Sequence, residues 1–143
     1  MKLSKDPEVD IASLRLVGDI ADGEIAQDVG PQLTPNRQSV TFGYDDAGNL
    51  LEIEFWEVSR ILRPEVLRSG RIRLTYDSAE DVARLCLADG VDDAETMQVG
   101  PQLTPTGDRI SLHYDRADYL VYIEFDGADR ILRAETLAAA STQ

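Results

Sequence analysis

The sequence is short of the groups that do most protein chemistry. It has one cysteine (Cys86), one histidine (His113) and one tryptophan (Trp56) in 143 residues. A lone cysteine excludes an internal disulfide and any cysteine-rich metal centre. A lone histidine excludes the multi-histidine zinc and iron sites. Cys86 lies in the strand-like run ARLCLA, where a small, half-buried thiol is expected rather than a nucleophile. No apolar run approaches the ~20 residues of a membrane span. The opening MKLSKDPEVD turns acidic before a signal-type apolar stretch develops, so a cytoplasmic location is expected. Positive charge is also scarce, with 27 acids against 14 bases and a net charge of −13. The acids divide 13 to 14 between the two halves of the chain and the bases 7 to 7. The charge therefore belongs to the folded surface and not to a tail, and its field repels polyanions. Neither nucleic acid nor a membrane is an expected partner. A Gly-rich phosphate loop, a nucleophile elbow and zinc-ligand spacing are all lacking. The string GYDDAGNLLEIE places acids at a turn without the ligand alternation of an EF-hand. No metal and no cofactor is expected.

What the sequence does have is repetition. VGPQLTP occurs at 29–35 and again, letter for letter, at 99–105. Extended at that offset of 70 to Leu67 and Leu137, the match gives 20 identities in 39 positions. Upstream, an offset of 71 pairs residues 2–16 with 73–87 at 6 identities in 15. Residues 1–69 and 72–140 thus read as two copies of one unit, expected to fold together as a single domain over 1–143.

Each copy reads as strands. Period-two alternation runs through VTFGYD (40–45) and LEIEF (51–55), and through ISLHYD (110–115) and VYIEF (121–125). Four-residue loops would pair Asp45 with Leu50, Phe42 with Ile53 and Thr41 with Glu54. In the second copy they would set His113 opposite Tyr122 and Ser111 opposite Glu124. The second loop lacks Gly, so Asp118 is expected to take the left-handed conformation. Two further strands flank the acidic turns DPEVD (6–10) and DSAED (77–81), and a fifth is expected at 23–29 and 94–99. Pro31, Pro35, Pro101 and Pro105 then predict an irregular connection. Residues 59–69 and 129–139 have the apolar spacing of one short helix each, with Pro64 near a helix start or bend. A unit of this size leaves open sheet edges and buries little surface alone. The expectation is an all-β fold with one short helix per repeat, as a pseudo-twofold antiparallel barrel or sandwich of about eight to ten strands.

The pattern YDSAEDVARLCLADG followed by ISLHYDRADYLVYIEFDGADRIL resembles the bacterial domain-of-unknown-function family 2283. The first copy fits as SKDPEVDIASLRLVG and VTFGYDDAGNLLEIEFWEVSRIL, with Lys5 standing where the second has Tyr76. The resemblance covers nearly the whole chain, twice. It implies the fold and brings no activity with it.

Candidate chemistry lies on two faces. The polar face of the second copy gathers His113, Tyr122 and Glu124, a constellation suited to general acid–base catalysis. His113 corresponds to Gly43, so such a site would be one-sided. The apolar face carries Phe42, Tyr44 and Ile53, matched by Leu112, Tyr114 and Ile123. In a ligand-holding barrel these would line the cavity, with Gln32 and Gln102 of the repeated loops at its mouths. Two functions follow. One is a barrel for an apolar small molecule, extending to a cofactor-independent cyclase or isomerase of polyketide-type secondary metabolism. The other is a non-catalytic protein-interaction or regulatory module, as a monomer or homodimer. An enclosed cavity past Gln32 or Gln102 would favour the first, and a filled core with an exposed patch around Trp56 the second.

Overall fold

The computed structural model describes all residues except Pro7, Thr34, Asn36, Arg37, Asp92, Asp93, Ala94 and Gln143; the side chains of 31–33 and of Thr142 also lie outside the description. The alternating runs form the central hairpins. β4 (Ser39–Tyr44) pairs with β5 (Leu50–Trp56), with Thr41 opposite Glu54 and Phe42 opposite Ile53. β9 (Arg109–Tyr114) pairs with β10 (Leu120–Asp126), with His113 opposite Tyr122 and Ser111 opposite Glu124. These mid-strand pairs are the expected ones, but the turn is tighter than expected: Asp45 faces Asn49 and not Leu50. At the hairpin ends the register shifts by one, so that Tyr44 faces Leu50 and Tyr114 faces Leu120. Leu51 and Val121 become bulge residues. Their carbonyls accept the N–H groups of Leu16 and Leu87 at 2.9 Å each, which ties the neighbouring segment to the bulge. Asp118 takes φ 68°, where the first copy has Gly48 at 86°.

Around DPEVD, β1 (Lys2–Lys5) pairs with β2 (Ile11–Arg15), and around DSAED, β6 (Arg73–Asp77) pairs with β7 (Val82–Cys86). β2 and β7 then join β5 and β10. β3 (Gln27–Leu33) and β8 (Met97–Leu103) complete the far edges, and the two-residue β11 (Ser141–Thr142) adds in parallel to β6. The orders are β1-β2-β5-β4-β3 and β11-β6-β7-β10-β9-β8. The fold is therefore all-β in two similar halves. The barrel alternative is corrected: the two ladders remain separate sheets with free edges.

Two local expectations also change. The fifth strands do not stop at Val29 and Val99 but run through Gly-Pro to Leu33 and Leu103, with a register shift between Val29 and Gln32 and between Val99 and Gln102. An edge strand with a bulge is where proline is tolerated. Gly100 sits at φ 108°, and a Cβ there would lie 3.0 Å from the Gln102 amide nitrogen. The C-terminal helix of each copy is two turns. A 3₁₀ turn at Val58–Arg60 precedes α1 (Pro64–Ser69), and α2 (Ala128–Ile131) precedes α3 (Ala134–Ala138). Pro64 occupies the first helical position of α1, where its missing N–H leaves no bond unmade. The Asp10 carboxylate accepts the amide and the hydroxyl of Ser59, and that of Asp81 accepts the Asp129 amide at 3.0 Å, so each acidic turn holds the start of its own helical segment.

The inner faces of both sheets bury into one cluster. It contains Leu14, Phe42, Ile53 and Phe55 of the first half, Leu85, Leu112, Ile123 and Phe125 of the second, and Ile61, Leu62, Ile131 and Leu132 of the segments that follow β5 and β10. Each fully buried Phe, Leu or Ile contributes roughly 1.5–3 kcal/mol. The halves dock reciprocally. The Leu120 amide donates to the Ile61 carbonyl at 2.7 Å, and Leu50 bridges Leu132. One oxygen of Asp45 accepts the Ala47 and Asn49 amides of its own turn, and the other accepts Arg133 at 2.9 Å. Asp115 does the same with Ala117, Tyr119 and Arg63, the last at 2.8 Å.

Candidate functional site

The outer faces of the two sheets present equivalent positions with different chemistry. In the second half, strand order places β7 and β9 on either side of β10. His113 comes from β9 and stacks on Tyr122, with centroids 4.1 Å apart and planes at 17°. Arg84 comes from β7, with its guanidinium carbon 4.2 Å from the Tyr122 ring centroid and its Nη2 3.2 Å from the Glu124 carboxylate. The Gln98 amide donates to Ser111 Oγ at 3.2 Å. The structure thus brings His113 and Tyr122 together by ring stacking. It sets Glu124 against Arg84, a partner that hairpin register alone does not place there.

In the first half the same register holds Ser13 opposite Glu54 and Asp28 opposite Gly43. With Ser13 in the place of Arg84 and Gly43 in the place of His113, the face is left hollow. A cleft of about 200 Å³ opens there, lined by Asp28, Thr41, Gly43, Glu52, Glu54 and Trp56. Trp56 is 45% exposed at its rim. A Cβ on Gly43 would already lie 3.2 Å from Ile25 Cγ2 and 3.4 Å from Asp28 Oδ1, so a larger side chain would fill the floor.

Electrostatics distinguish this cleft from its counterpart. Burial, followed by the charges of Glu54 and Asp28, pushes the Glu52 carboxyl above its ordinary range, with Arg15 offsetting part of the rise. Burial, followed by the charge of Asp28, raises Glu54, and a hydrogen bond with the Trp56 side chain lowers it in part. Among the described residues, no group of three or more His, Cys, Asp or Glu side chains is placed to hold a metal ion. The three carboxylates of the cleft lie near enough to act on one another. Such a negative hollow suits an organic cation, and the exposed indole offers it a π face.

The residues expected to line a barrel cavity are placed differently. Phe42, Tyr44, Ile53, Leu112, Tyr114 and Ile123 are each fully buried in the common cluster. Gln102 is half-buried with its Oε1 enclosed, and the Gln32 side chain lies outside the described residues. Burial pushes the Tyr44 and Tyr114 phenols far above their usual range, and neither hydroxyl has a hydrogen-bond partner among the described residues. For Asp45, burial acts to raise the carboxyl, but the Asn49 amide and Arg133 outweigh it and hold it below the ordinary carboxylate range.

Comparisons with protein-family models, curated proteins and solved structures find no match to this chain. Among the described residues no helix is long and apolar enough to cross a membrane.

Proposed function

We propose that the chain is a non-catalytic interaction module whose first-half cleft receives a basic side chain of a partner protein. The observation that carries this reading is the Ser13–Glu54 pair of the first half set against the Arg84–Glu124 pair of the second. On one sheet the chain supplies its own guanidinium between a carboxylate and an aromatic ring. On the other, the carboxylate and an aromatic rim remain, joined by Asp28 and Glu52, and serine stands where the guanidinium would be. Bringing a cation there relieves carboxylates that burial and mutual repulsion already disfavour. The core supports the same choice. The six apolar side chains suited to line a cavity pack in a single cluster, and none of them lines the surface clefts found among the described residues.

Trp56, the sole tryptophan, reports on the cleft directly. Titration with an arginine-rich peptide of about ten residues is expected to give a saturable change in its fluorescence that weakens with salt. Glu52→Gln/Glu54→Gln should weaken binding about tenfold, in keeping with losing a partly desolvated charge at an interface. Ser13→Arg should abolish it by supplying the cation in cis. Unchanged affinity in the Ser13→Arg variant would sink the proposal.

A further inference from the structure

The surface through which the two halves meet repeats its central contacts, although Thr136 to Leu16 and Arg133 to Glu24 are made on one side alone among the described residues. Arg63 of the first half reaches Asp115 of the second, and Arg133 of the second reaches Asp45 of the first. The backbone contacts are reciprocal too, from Leu120 to Ile61 and from Leu50 to Leu132. A surface with this self-complementary pairing is the isologous kind found between identical subunits. The link between the halves, by contrast, is slight. Helix α1 ends at Gly70 with φ 64°, its amide bonded to the Val66 carbonyl at 2.8 Å. Ser69, Gly70 and Arg71 are exposed, and nothing lies within 4 Å of a Cβ built on Gly70. Straightening this hinge gives up that bond and the bond from the Arg71 amide to Ser69 Oγ at 3.2 Å. The inter-half contacts can then form between molecules.

We infer that the inter-half surface also accepts a second copy of this chain, so that two chains can exchange halves across the Ser69–Gly70–Arg71 hinge. The first half of one copy then packs on the second half of the other, with Arg63 and Arg133 reaching the same aspartates across the dimer.

The reciprocal ion pairs allow a direct test with the full chain. Arg63→Asp and Asp115→Arg each set like charges against one another. An exchanged heterodimer of the two variants restores both pairs. In one lobe the two substituted positions, 63 of one copy and 115 of the other, meet with their charges reversed. In the second lobe the untouched Arg63 and Asp115 meet. Co-refolding the two variants at high concentration should give a species of twice the chain mass that contains both, whereas each alone should give far less. Monomers only, or dimers equally abundant in the single variants and the mixture, would overturn the inference. If either charge variant fails to fold, Gly70→Val decides. A β-branched residue disfavours the left-handed hinge, so the dimer-to-monomer ratio should rise about tenfold. Gly70→Asn tolerates that conformation and should stay near the parent. A Gly70→Val chain as monomeric as the parent overturns the proposal.

Discussion

The two outer sheet faces share one scaffold and differ at a few positions, and that small difference inverts their character. Where the second half has Arg84, Gln98, His113 and Tyr122, the first has Ser13, Asp28, Gly43 and Glu52. One face is closed by stacking and by its own ion pair. The other is a hollow with three carboxylates and an exposed indole. Duplication thus leaves one copy closed on itself while the other keeps an open, acidic hollow. The core and the docking contacts hold both copies to the same backbone.

The two halves differ most in energy at the docking contacts. Arg133 holds both Asp45 and Glu24, at 2.9 and 2.8 Å, whereas Arg63 holds Asp115. Arg133→Ala leaves the buried Asp45 without its cation and should lose about 2–3 kcal/mol in denaturant titration, with Arg63→Ala losing roughly half that. Equal losses would mean that the two contacts are energetically symmetric after all. Next in size are the buried phenols. Unpaired hydroxyls cost roughly 1–3 kcal/mol, so Tyr44→Phe and Tyr114→Phe should each raise stability by about 1 kcal/mol, a gain of a few degrees in Tm. A loss would show that the hydroxyls are satisfied in solution.

The cleft gives a smaller effect with a defined pH signature. Glu52 and Glu54 hold protons more tightly in the folded chain than in the unfolded one. Their charge therefore costs stability at neutral pH, and the cost fades as the pH falls through the carboxylate range. Glu52→Gln/Glu54→Gln should be more stable than the parent by about 0.5–1 kcal/mol at pH 7 and indistinguishable near pH 3. Asp45 has the opposite sign. Its lowered pKa contributes stability above the unfolded value that is lost as the pH falls through the folded one, so Asp45→Asn should be weaker than the parent at pH 7 and converge with it in acid. The smallest change in stability is expected for Gly43→His/Glu52→Tyr, which transplants the His113–Tyr122 stack onto the first half. It should shift stability by less than about 1 kcal/mol, since Ile25 can yield at the 3.2 Å contact, yet remove peptide binding.

Much of the fold is legible because it follows from local rules. Alternation marks the strands that form the His113–Tyr122 and Thr41–Glu54 pairs, with the bulges at Leu51 and Val121 offsetting turns tighter than expected; the missing glycine sets Asp118 in the left-handed region, and Pro64 marks a helix start. Prolines mislead where they meet edge strands, because Gly30 and Gly100 permit bulges that carry β3 and β8 past them. Of the candidate site, the polar face is legible and its partners are not. Arg84 lies 40 residues from Glu124, and Arg133 lies 88 from Asp45, distances over which no periodicity speaks. A signal does exist. Asp45, Asp115, Arg63 and Arg133 all fall among the identities between the copies, as a shared ion pair requires.

Asp45 and Asp115 each divide one carboxylate between a hairpin turn and the opposite half. Loosening the turn therefore loosens the remote contact, and separating the halves frays both turns. The chain should open as one cooperative unit, with amides of β4–β5 and β9–β10 exchanging at a common rate, and no half-folded species should accumulate to expose the shared apolar core.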